Sequence, residues 1–137
     1  MLDDGPLRLR GVLAAGAVVT PFTDIRWLAA WQRHVGAAQG VTPLIAVGRD
    51  DHDAPLFLLP LALKRGRALT TARFFGGTHS HLNMAVWRRD AAVAMSAPRL
   101  HAILAELAQR NGIDLFILCN QPFAWDGAFD RWDVALH

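Results

Sequence analysis

The sequence predicts an α/β domain of the α+β kind, a mainly antiparallel sheet with helices on both faces. Three observations predict it. Three apolar runs of strand length, "PLIAVG", "PLFLLPLALK" and "LTTARFF", succeed one another with only the turn signals "RDDHDA" and "RGRA" between them. Amphipathic helical patterns flank this meander on both sides. The 137 residues, 53% hydrophobic and 19% charged, suffice for one domain with a real core and are too few for two ordinary ones.

Taken in order, Pro6 opens a first helix with Leu9, Val12 and Leu13 on one face, although the alternation Leu7, Leu9, Leu13 reads equally as a strand. "TPFTDIRWLAAWQRHVG" is a clearer helix. Thr23 is its expected cap, Asp24 favours the positive helix start, and Gly36 sits just past the end. Trp27, Leu28, Trp31 and Val35 fall on one stripe, which makes the indoles core anchors. Of the three strands, the middle one contains Pro60. A proline lacks the ladder donor, so an edge position or a bulge is expected there. The third strand ends at Gly76 and Gly77. A further helix, "SAPRLHAILAELAQRNG", has Ser96 as cap, Pro98 in the first turn and Leu100, Ile103, Leu104 and Leu107 as its buried stripe; Asn111 and Gly112 stop it. "IDLFILCN" then reads as a strand buried on both faces, with Cys119 as a small buried hydrophobe.

Composition excludes several functions. Fourteen basic residues against twelve acidic give a net charge of +2 without any block of like charge, so nothing asks for a nucleic-acid partner. Cys119 is the only cysteine, which rules out an internal disulfide and a cysteine metal cluster. The start "MLDDGPLRLR" is acidic where a signal peptide is basic, and no apolar stretch is long enough for a membrane span; a cytoplasmic location is expected. Lys64 is the only lysine, in the turn-like "KRGRA".

Chemistry concentrates in "RFFGGTHSHLNMAVW" and "NQPFAWDG". His79 and His81 at i, i+2 would share one face of an extended segment as a metal pair. A third ligand would have to come from Asn83, Asp126 or His52, so no metal is expected and loop hydrogen bonding is favoured. A dyad with Ser80 fails because adjacent residues of an extended chain point to opposite faces. Acid/base service by His79 or His81 suits the chemistry better, since a neutral imidazole accepts a proton from an amine or hydroxyl. "RDDHDA" reads as a solvated turn. Asn120 and Gln121 end a core strand where α/β sheets present groups to a cleft, and Pro122 halts the ladder. Trp125 and Asp126 then offer stacking surface and a carboxylate, fitting either a sugar or acyl-acceptor pocket or a loop locked by side-chain-to-backbone bonds.

Four words, "TPFTDIRWLAAW", "PLFLLPLAL", "RFFGGTHSHLN" and "NQPFAWDG", occur in an order and spacing that resembles the N-terminal half of CelD-type proteins, the GNAT-superfamily acyltransferases of bacterial cellulose biosynthesis. The resemblance covers about residues 20 to 127. It implies a GNAT-like domain over residues 1–137, the N-terminal half of a longer protein whose C-terminal half binds acyl-CoA. It also implies acyl transfer, from acetyl-CoA or another acyl-CoA, to a small-molecule or saccharide acceptor in cellulose or exopolysaccharide biosynthesis. This half would shape the acceptor side through Gly76, Gly77, Ser80, Asn83, Asn120, Gln121, Trp125 and Asp126, with His79 or His81 catalytic. The family's CoA loop leads from a strand into a helix N-terminus. "RHVGAA" has its letters but follows a helix. "RFFGGT" follows a strand but places Thr78 where glycine or alanine is needed, so no CoA binding and no activity are expected of this chain alone. The alternative is a non-catalytic binding or assembly domain using the "GGTHSHLN" and "NQPFAWDG" loops.

Overall fold

The computed structural model describes residues 16–122, 124–125 and 127–129; the first predicted helix lies outside them. Strand β1 (Ala17–Val18) leads through a 3-10 turn into helix α1 (Ile25–Trp31). The cap is Asp24 rather than Thr23: its Oδ1 accepts the Arg26 amide at 2.8 Å, while Thr23 bonds back to Thr20 within the preceding turn. Gly36 does not end the helix at once. The chain widens into a π-helical turn over Gln32–Gly36, where Gly36 is buried against Trp31 and a Cβ would come within 2.8 Å of its Cζ3.

The meander follows as β2 (Thr42–Arg49), β3 (Pro55–Arg65) and β4 (Thr70–Phe74), all antiparallel neighbours. Beyond a long loop come the short β5 (Val86–Arg88), α2 (Arg89–Ala94), α3 (Ala97–Asn111) and β6 (Leu115–Ile117). A small hairpin, β7 (Ala124–Trp125) with β8 (Ala128–Phe129), forms a second sheet. The main sheet runs β1-β5-β3-β4-β6, with β2 on the other edge of β3. Among the described strands only the β4–β6 pair is parallel.

Strand β3 is the centre of the fold. Phe57, Leu59, Leu61 and Leu63 face the side closed by Leu100 and Leu104 of α3. Ala62 faces the other side, closed by Ile25, Leu28 and Trp31 of α1 with Phe75. Cover on both faces explains the unbroken apolar run. Pro60 is therefore neither on an edge strand nor at a register shift in the β3 ladders. It sits where one edge of β3 changes partner, from β4 (Leu61–Arg65) to β5 (Phe57 and Leu58). Its carbonyl still accepts the Phe75 amide at 3.0 Å, and the missing N–H falls on the same side, in the gap between the two partners.

The last core strand also differs from expectation. β6 has three residues and pairs only with β4 among the described strands, and Leu115 is 45% exposed. Phe116 and Leu118 pack on the main core, so the run is half-buried. Cys119, just beyond it, is exposed rather than buried.

Candidate functional site

The site begins where β4 stops. Gly76 (φ 102°) and Gly77 (φ 54°) both take left-handed conformations that turn the chain out of the sheet, into one 3-10 turn over Gly77–His79. Gly76 lies under Trp27, and Phe75 packs edge-on against Trp31 with centroids 5.2 Å apart. The glycine pair thus serves a turn packed beneath two indoles.

The two histidines do not share a face. Trp31 Nε1–H donates to His79 Nδ1 at 3.3 Å, so the neutral His79 ring carries its proton on Nε2. His81 is exposed and meets Phe22 edge-on at 6.3 Å. Neither histidine hydrogen-bonds Ser80 or Cys119 among the described residues, and no group of three His, Cys, Asp or Glu side chains is gathered there.

Three hydrogen bonds join the loop to the end of β6. The Asn83 amide donates to the Asn120 carbonyl at 2.9 Å, Asn83 Nδ2 to the Cys119 carbonyl at 3.1 Å, and Asn120 Nδ2 to the Ser80 carbonyl at 3.3 Å. Ser80 and Asn83 are buried, and Ser80 Oγ donates to the Leu82 carbonyl. Asn120 itself has φ 62°, a left-handed position that asparagine tolerates. Gln121 Nε2 donates to the Leu118 carbonyl, and Trp125 Nε1 to the Val19 carbonyl, which fastens that indole to the segment after β1. Asp126 lies outside the described residues.

Two adjoining clefts open beside this clasp. The smaller, about 120 Å³, lies at the carboxyl ends of β4 and β6 and is lined by Arg73, Thr78, Asn83, Ile117, Cys119 and Asn120. The larger, about 440 Å³, lies on the α1 face of the sheet and reaches Trp31, Val41, Lys64, Arg73, Thr78 and His79. Sequence reasoning assigned no site role to Arg73, Thr78 or Cys119, and it put Lys64 in a turn, whereas Lys64 lies within β3, paired with Thr71 of β4. The signal for Arg73 was the alternation in "LTTARFF": Ala72 and Phe74 are buried, so Thr71 and Arg73 face the other way.

Charge is organised elsewhere too. In "RDDHDA", Asp50 Oδ1 accepts the His52 and Ala54 amides, both at 2.9 Å, and Oδ2 meets Arg88 Nη1 at 3.2 Å. The Ala54 amide, the His52 amide and the Arg88 guanidinium together hold the Asp50 carboxyl below its usual range. Arg88 Nε also meets Asp90 Oδ1 at 2.7 Å, which lowers that carboxyl in the same way. This cluster locks the β2–β3 turn to β5.

No family model matches this chain, and neither a curated protein nor a solved structure matches it. No helix among the described residues is long and apolar enough to cross a membrane.

Proposed function

We propose that this chain forms the acceptor side of a GNAT-type acyl-transfer site, holding a small-molecule or saccharide amine or hydroxyl while acyl-CoA is held by another part of the protein. The observation that carries the reading is the parallel β4–β6 pair, whose carboxyl ends open on the cleft lined by Arg73, Thr78, Asn83 and Asn120. Ligands of open α/β sheets bind at such ends, outside the carboxyl termini of neighbouring strands.

The residues do not fit a CoA pyrophosphate cradle. Gly76 and Gly77 are covered by Trp27 and Trp31, and the next α-helix begins only at Arg89. In this reading Arg73 and Thr78 orient the acceptor. His79 lines the adjoining larger cleft and, with Nδ1 engaged by Trp31, acts as a donor through Nε2–H, whereas His81 lines neither cleft. The test follows the Asn83 and Asn120 side-chain amide signals by NMR during titration with amino sugars and neutral sugars. Saturable shifts with an acceptor, and none with acetyl-CoA, are expected. Saturation by acetyl-CoA alone, or silence toward every acceptor, overturns the proposal.

The second reading, a non-catalytic binding or assembly domain, draws on one observation. The polar side chains of Ser80, Asn83 and Asn120 bond to backbone carbonyls of the two loops, which makes a rigid surface rather than a set of reactive groups.

A further inference from the structure

The larger cleft carries an unbalanced charge. On the β3–β4 ladder Ala62 pairs with Arg73 and Lys64 with Thr71, so Lys64 and Arg73 are diagonal neighbours on one face of the sheet. Both side chains are exposed, both line the cleft, and neither forms an ion pair among the described residues. His79 stands on the same rim with its Nε2–H as its remaining donor, and Thr78 adds a hydroxyl. No Asp or Glu among the described residues lines this cleft.

Two unpaired like charges on adjacent strands repel, and the ladder fixes the spacing of their Cβ atoms as diagonal neighbours. A planar guanidinium beside a point-charge ammonium is the pairing that receives an oxyanion, the first through two parallel N–H donors and the second through charge. The cleft volume of about 440 Å³ exceeds what a bare inorganic ion fills and falls in the range of small-molecule pockets. Its remaining wall is mostly apolar, with Trp31, Val41, Ala62 and Phe74, and carries one further polar side chain, Gln39.

We propose that this cleft binds a small organic oxyanion, a carboxylate or phosphate ester, with its charged group between Lys64 and Arg73 and its apolar body against Val41 and Trp31. The donors are side chains on the sheet, not loop N–H groups, and the site does not depend on the acyl-transfer reading.

The experiment titrates the intact chain with phenyl phosphate, benzoate and inorganic phosphate, following the Trp31 indole N–H by NMR. Phenyl phosphate or benzoate saturates the signal more tightly than inorganic phosphate, and the better of the two identifies the anionic group. Lys64→Gln and Arg73→Gln each weaken binding by roughly tenfold, and added salt weakens it further. Both replacements are on exposed side chains, so melting temperatures stay level or rise as the repulsion is relieved. Failure of all three probes to saturate, or affinities untouched by both replacements, overturns the site. Because acceptor binding is read at Asn83 and Asn120, the two proposals fail separately.

Discussion

Gly76 lies directly beneath the indole of Trp27: a Cβ on Gly76 would stand 2.6 Å from the ring's Cη2. The φ of 102° adds strain for any other residue. Gly76→Ala therefore combines a clash with an unfavourable backbone and should cost about 1–3 kcal/mol. Trp27→Ala in the same chain removes the clash and leaves the strain, so the double variant should lose less than the sum of the single losses. Urea midpoints of the four proteins measure this. Additive losses would mean that the ring does not cover the glycine.

Trp31 joins three parts of the molecule. The residue is 7% exposed, packs with Ile25, Leu28, Ala62 and Phe75, and its indole N–H donates to His79. Trp31→Ala should cost about 3–5 kcal/mol, a large part of the stability of an ordinary domain. Trp31→Phe keeps most of the packing but loses the hydrogen bond, so it should cost less and release the His79 ring. Melting curves give the first effect and the His79 ring signals the second. A Trp31→Ala protein that melts with the parent would remove this indole from the core.

Much of this fold was legible because particular residues state their roles. The meander is written in its turns, α1 in its indole stripe, and the end of α3 in Gly112, which caps it at φ 61°. Pro60 misled because a sequence does not say which side of a strand loses its donor, and a central strand whose edge is shared by two short partners has a gap that suits proline. "IDLFILCN" misled because apolar residues occupy both faces of a strand that is covered on one. β1 and β5 have two and three residues, too few for any periodicity to register. In the site, Ser80, Asn83 and Asn120 were visible as a polar cluster. Which of them would clasp, and that Arg73 and Lys64 would stand side by side, depends on strand register.

Acid should expose the Asp50–Arg88–Asp90 cluster. Both carboxyls are held below their ordinary values in the folded protein, Asp50 first by the Ala54 amide and Asp90 first by Arg88. Folding then favours the ionised forms. Their contribution is fully present above the unfolded carboxylate value of about 3.9 and is lost as pH falls through the lower folded values. Melting temperature should therefore fall as pH drops below about 4, and Asp50→Asn should flatten that fall while lowering stability at neutral pH. An unchanged acid slope in the variant would show that Asp50 titrates alike in folded and unfolded chains.

Asn120 tests the clasp between the loops, since it meets two demands at once. Its backbone holds φ 62°, and its side chain donates to the Ser80 carbonyl. Asn120→Gly loses the hydrogen bond but accepts the left-handed backbone, whereas Asn120→Ala loses the bond and also strains the backbone. The alanine variant should be less stable than the glycine variant by about 1 kcal/mol. Both should loosen the loop end of the smaller cleft, which Cys119 lines with its exposed thiol. Labelling of Cys119 by a disulfide reagent should therefore run faster in both variants than in the parent, and Asn83→Ala, which frees the Cys119 carbonyl, should speed it as well. Thiol rates equal to the parent's in all three would mean that the strand end is held by its packing, with the asparagines contributing nothing to its order.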